Sequence, residues 1–78
     1  MLTQLRVLRM ARGIKMREMA HKVGVDESTL SKIEQGKLCA GEELVNRIVA
    51  ALGYKRRDIF NRDGSARPFR PRAKAVAR

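Results

Sequence analysis

Met16–Gly36 reads MREMAHKVGVDESTLSKIEQG, and its two short helical patterns, broken by Val23-Gly24-Val25-Asp26, decide the fold. In the first pattern Met19, Ala20 and Val23 share a face, which predicts a helix over 16–23. In the second, Leu30 and Ile33 stand three residues apart, predicting a helix from about Glu27 to Gln35. A small residue at Ala20 lets the second helix cross close to the first. Gly24 supplies the positive φ that a tight turn between helices needs. Asp26 is placed to cap the second helix, its carboxylate accepting from the amides of Ser28 or Thr29. With Val25, Leu30 and Ile33 turned inward, the residues left outward are Glu27, Ser28, Ser31 and Lys32. All four are polar and none is bulky. A helix with such a face near its N-terminus can enter a groove about 12 Å wide.

Outward from this stretch the chain stays helical. Glycines fall at 13, 24, 36, 41, 53 and 64, and no stretch alternates with period two, so strands are not expected. A first helix is predicted from about Thr3, its N-cap, to Arg12, with Leu5 and Leu8 on one face. A fourth runs from about Glu42 to Leu52 on a Val45, Ile48, Val49, Leu52 stripe, with Glu42 and Glu43 favoured in its first turn by the helix dipole. A short fifth helix, about Lys55 to Phe60, docks Ile59 and Phe60. The expected organisation is one all-α domain over 1–60. Residues 61–78, NRDGSARPFRPRAKAVAR, hold two prolines and too little apolar surface for a core, and are expected to form a disordered basic tail.

Charge narrows the partner. Residues 1–60 carry 12 basic and 7 acidic side chains (+5), and 61–78 carry six and one (+5), giving the chain its net +10. Such a surplus suits nucleic acid. No apolar run approaches the roughly 18 residues of a membrane span. The tail lacks the apolar face that surface anchors use, so no membrane partner is expected. Cys39 stands alone, which rules out an intramolecular disulfide and fits a reducing, cytoplasmic setting. Arg6, Arg9 and Arg12 interrupt every early apolar stretch, so no signal peptide is expected. With one histidine, His21, one cysteine and no paired carboxylates in a plausible cleft, no catalytic residue, metal site or cofactor is expected.

Four segments in order carry a family resemblance: LRVLRMARG from Leu5, A-x-x-x-G-V from Ala20, S-T-x-S-x-I-E-x-G-K from Ser28, and I-V-A-A-L-G from Ile48. Together they resemble the phage-repressor (Cro/cI, XRE-type) helix-turn-helix family over about Leu5 to Phe60. The resemblance implies a five-helix lambda-repressor-like bundle that binds double-stranded operator DNA, usually as a homodimer. It implies that Glu27, Ser28 and Lys32 read bases, with Ser31 close to backbone or bases. It implies phosphate contacts from Lys15, Met16, Arg17 and Lys37. It also implies a partly buried pair, Arg9 with Glu34, fixing the first helix against the third. Lys32 has the chemistry to donate to guanine O6 and N7, and Glu27 to accept from cytosine N4.

The sequence departs from the family at three places. Lys15 and Met16 stand where a Ser cap and a Gln are usual, a loss of cap worth about 1 kcal/mol. Ala40-Gly41 replaces Pro-Ser before the fourth helix, where a looser loop is expected. Arg56 replaces an apolar residue before the fifth. In the tail, Arg67, Arg70 and Arg72 are candidates for DNA contact, as phosphate neutralisers or in a narrow minor groove, beside the alternative of a solubilising end. The resulting expectation is a transcriptional regulator, most simply a repressor. The alternative is an antitoxin that holds a toxin and represses its own promoter, and a third is an interaction or RNA-binding module.

Overall fold

The computed structural model describes residues 2–69. Its five helices are α1 (Gln4–Ala11), α2 (Met16–Val23), α3 (Glu27–Glu34), α4 (Glu42–Leu52) and α5 (Arg56–Ile59). They follow the sequence expectation to within a residue or so at each end, and no strand occurs among the described residues. An aliphatic core forms where the predicted stripes meet. Leu5, Met19, Val23, Leu30, Ile33, Val45, Ile48, Leu52, Ile59 and Phe60 are all buried. Full burial of one such side chain is worth roughly 1.5–3 kcal/mol. Leu8, Val25 and Val49 are half-buried and pack against its edge.

The chain beyond α5 corrects one expectation. Residues 61–69 are not a disordered tail: they fold back along the start of the chain. Asn61 N–H donates to the Ser65 carbonyl (2.8 Å), closing a turn through Gly64. Arg67 N–H then donates to the Ile59 carbonyl and Gln4 N–H to the Arg67 carbonyl, both at 2.8 Å. Phe69 N–H donates to the Leu2 carbonyl at 2.9 Å, and Ala66 is buried. The segment is held by main-chain hydrogen bonds rather than by large apolar side chains, which is why its composition suggested disorder. Arg70 and Arg72, and the rest of 70–78, lie outside the described residues.

The same turn corrects the expectation of a loose loop before α4. Ala40 is buried, and its N–H donates to the Gly64 carbonyl at 2.9 Å. Arg56 also finds a role: its guanidinium donates to both carboxylate oxygens of Glu42 (2.7 and 2.6 Å) and to the Arg62 carbonyl (3.1 Å). It therefore joins α4, α5 and the folded-back segment in place of an apolar contact.

Gly64 adopts φ +90°, and a methyl group there would overlap the Ala40 carbonyl oxygen. Gly64→Ala is expected to cost on the order of 2–3 kcal/mol through strain at positive φ and loss of the Ala40 bond. A thermal melt followed by circular dichroism should show a clear drop in Tm; a wild-type Tm would mean that the turn is not anchored as described.

Candidate nucleic-acid interface

The turn between α2 and α3 sets the site. Gly24 caps α2 with φ +80°, and both Gly24 and Val25 donate their N–H groups to the Ala20 carbonyl (2.9 and 3.0 Å). Arg47 of α4 braces the corner, donating to the Val23 carbonyl (3.3 Å) and to Glu43 (3.0 Å). Ala20 is buried where the helices meet.

Behind α3 lies the Arg9–Glu34 pair. Arg9 Nε donates to Glu34 Oε2 at 2.5 Å and Nη2 to Oε1 at 3.3 Å, with the two residues only 8% and 2% exposed. The third guanidinium donor reaches the Ile14 carbonyl (2.6 Å), so Arg9 also holds the loop between α1 and α2. Thr3 adds a second tie. Its hydroxyl donates to the Glu34 carbonyl at 2.6 Å and accepts, weakly, from Arg6 N–H at 3.4 Å. The sequence marks Thr3 only as an N-cap; its link to the end of α3 spans 31 residues and carries no local sequence signal.

On the outward side the residues singled out from the sequence fall on and around α3, with different neighbours. Lys32 is exposed and has no carboxylate within 4 Å among the described residues. Glu27 faces Arg17 of α2 at 3.4 Å, with side chains 52% and 87% exposed. An ion pair that open to water is weak and screened by salt, so both groups can change partner. Ser31 is half-buried and its hydroxyl accepts from Gln35 Nε2 (2.8 Å). Lys15 and Lys37 are exposed. Met16 is half-buried and its side chain packs against the core. The polar atoms it can offer an anion are main-chain ones, at a helix start whose first amides lack helical partners.

Asp26 departs from the expected cap. Its carboxylate accepts from the hydroxyls of Ser28 and Thr29, both at 2.6 Å, and not from their amides. The short hydroxyl side chains reach the carboxylate first. At α2, Lys15 has no acceptor in its side chain, but Glu18 accepts from the Lys15 amide at 3.4 Å, which supplies half of a capping box. Two further polar residues lie beside α3. Arg6 and Gln35 share a shallow hollow with Met16 and Ser31. Helical spacing offered the signal, since Arg6 is one turn before Arg9 and Gln35 one turn after Ser31.

A helix-turn-helix domain model matches residues 1–59. The chain belongs to the helix-turn-helix domain family. Among solved structures, the clp gene regulator ClgR from Corynebacterium glutamicum is similar at 33% identity and a TM-score of 0.67, over 70% of this chain and 58% of that one. The chain therefore aligns with little more than half of that regulator. A comparison with curated proteins gave no match. The helix-turn-helix proper is α2 and α3, and α1, α4, α5 and the folded-back segment support it. Among the described residues no helix is long and apolar enough to cross a membrane.

Arg9→Ala is expected to cost about 3–5 kcal/mol, because it strands the buried Glu34 carboxylate. The double variant Arg9→Met/Glu34→Leu should recover most of that loss. Urea unfolding of the two variants checks this; equal stability of both would mean that the pair is not buried as described.

The Asp26 carboxyl is held below the usual aspartate range by the Ser28 hydroxyl first and then by that of Thr29, with a smaller contribution from the Lys32 charge. A lowered folded-state pKa stabilises the ionised form, so the contribution is complete at neutral pH. It disappears as pH falls below the ordinary value of about 3.9 and through the folded one. In an NMR titration the Asp26 midpoint should be low in the wild type and rise in Ser28→Ala; an ordinary midpoint in the wild type would contradict the two hydroxyl–carboxylate bonds.

Proposed function

We propose that this protein is a sequence-specific binder of double-stranded DNA and a transcriptional regulator, acting most simply as a repressor, with α3 reading the major groove. The observation that carries the reading is the construction of α3. Its inner face is fixed by Leu30, Ile33 and the buried Arg9–Glu34 pair, while its outer face presents the polar side chains of Glu27, Ser28, Ser31 and Lys32. Lys32 donates to guanine O6 and N7. Glu27, released from Arg17, accepts from cytosine N4, and Ser28 and Ser31 adjust to either donor or acceptor. Arg17, once released, joins Lys15, Lys37 and the main-chain amides at Met16 on the phosphates flanking the groove. The membership in a helix-turn-helix family supports this assignment, as does the likeness to a protein described as a gene regulator.

The protein acts as a homodimer on a two-fold operator, with half-sites about one helical turn apart. Arg67, Arg70 and Arg72 add charge at the C-terminal end and strengthen binding without choosing sequence. The work is done in the cytoplasm, without metal or cofactor.

The test starts from a duplex selected out of a random pool. Lys32→Ala is expected to lower affinity for the selected site by 1–3 kcal/mol, while binding to random duplex stays close to wild type. Lys37→Ala should weaken both by a similar factor and reduce the salt dependence by about one contact. Equal losses on selected and random DNA for Lys32→Ala would remove it from the reading face.

A further inference from the structure

Unmatched positive charge collects around α5. Lys55, Arg57, Arg62 and Arg67 line one open cleft together with Arg56. Only Arg56 is spent, on Glu42; the other four have no carboxylate within 4 Å among the described residues. The neighbouring acids Asp58 and Asp63 keep their charge but are bonded to neutral groups rather than to these bases, so with Glu42 three carboxylates stand beside five bases. Asp58 accepts from the Lys55 amide (3.1 Å), and Asp63 from the amide and hydroxyl of Ser65 (2.9 and 2.6 Å). Two of the arginines are built into the frame. Arg67 donates to the Arg57 carbonyl (3.0 Å) and Arg56 to the Arg62 carbonyl (3.1 Å), which fixes the main chain from which Arg57 and Arg62 project.

The cleft is tied to the end of α3 through the start of the chain. Glu34 borders the hollow beside Ser31 and Gln35, and its carbonyl is bonded to Thr3. The next residue, Gln4, lines a second hollow with Arg57 and Arg67, and those two also line the cleft. Thr3 is itself buried, so the link is internal: its hydroxyl holds the end of α3, and its neighbour Gln4 stands beside Arg57 and Arg67.

We propose that this cleft is a second phosphate-binding face, which holds the backbone of the same duplex outside the segment that α3 reads. The inference rests on the reading of α3 as the DNA-binding helix. A second copy of the same face would oppose like charges, and the basic residues at 70–78 carry the same sign. An acidic protein segment would want an apolar anchor point, and the only large apolar residue of the cleft, Phe60, is 2% exposed. A phosphate backbone needs none: it asks for guanidinium groups spaced along an open track.

The test uses the full chain and two duplexes with the same selected site, one trimmed to the site and one extended by about one helical turn on each side. The wild type should bind the extended duplex more tightly. In Arg57→Ala/Arg62→Ala that gain should vanish, and the slope of log affinity against log salt on the extended duplex should fall by about 2, at roughly 0.9 per phosphate contact. Affinity for the trimmed duplex and sequence preference should not change. Both side chains are exposed and their carbonyls do the bonding, so the melting curve should match the wild type. No gain from added length in the wild type, or an equal loss on both duplexes in the variant, would overturn the proposal. So would a variant that keeps the length gain but no longer binds a polyglutamate peptide, which would assign the cleft to an acidic protein. Failure of the α3 reading has a separate signature: Lys32→Ala would leave sequence preference on the trimmed duplex intact.

Discussion

Glu34 is a carboxylate at the inner end of α3 with almost no access to water, and Arg9 meets it with two guanidinium donors. An unpaired charge in that position would cost several kcal/mol, so the two helices are held in one relative placement. The remaining Arg9 donor holds the Ile14 carbonyl, and Thr3 holds the carbonyl of Glu34 itself. Three segments, the chain start, the α1–α2 loop and the end of α3, therefore meet at one polar knot set in an aliphatic core. Apolar packing alone specifies volume and tolerates sliding. The knot specifies register, and register is what a helix needs if its outer side chains are to meet base edges.

The support around α3 replaces familiar parts with charged or main-chain ones. Glu18 does half the work of the absent cap at α2, and Asp26 gathers hydroxyls at the start of α3. Arg56 joins α4, α5 and the folded-back segment through Glu42 and the Arg62 carbonyl. The loop before α4 is anchored by Gly64 from the far end of the described chain. Polar ties of this kind leave few large side chains to bury, which suits a small domain with one tyrosine, two phenylalanines and no tryptophan.

Much of this was legible in the sequence because helical periodicity is local. Met19, Ala20 and Val23, then Leu30 and Ile33, then Val45, Ile48 and Leu52 mark inner faces within single elements, and Gly24 and Gly53 end the helices they follow. The outward set on α3 followed from the same pattern. Arg9 and Glu34 came from the family resemblance, since 25 residues separate them and no spacing rule links them. What was not legible depends on contacts between distant main-chain groups. Residues 61–69 look disordered by composition because they bury only small side chains, and their anchors are N–H and carbonyl groups that every residue carries. The Arg17–Glu27 contact is hidden in the sequence too, because their proximity appears only once α2 and α3 are crossed.

In the proposed mode of binding a rigid α3, held from behind by the Arg9–Glu34 pair, meets duplex DNA with its outer face. NMR of the labelled protein titrated with its selected duplex tests this most directly. The largest amide shift changes should fall on Glu27–Lys32 and the start of α2, while the Arg9 Nε–H resonance should stay in place and protected from solvent exchange. Shift changes centred away from α2 and α3, or an Arg9 signal that moves and exchanges freely on binding, would contradict it.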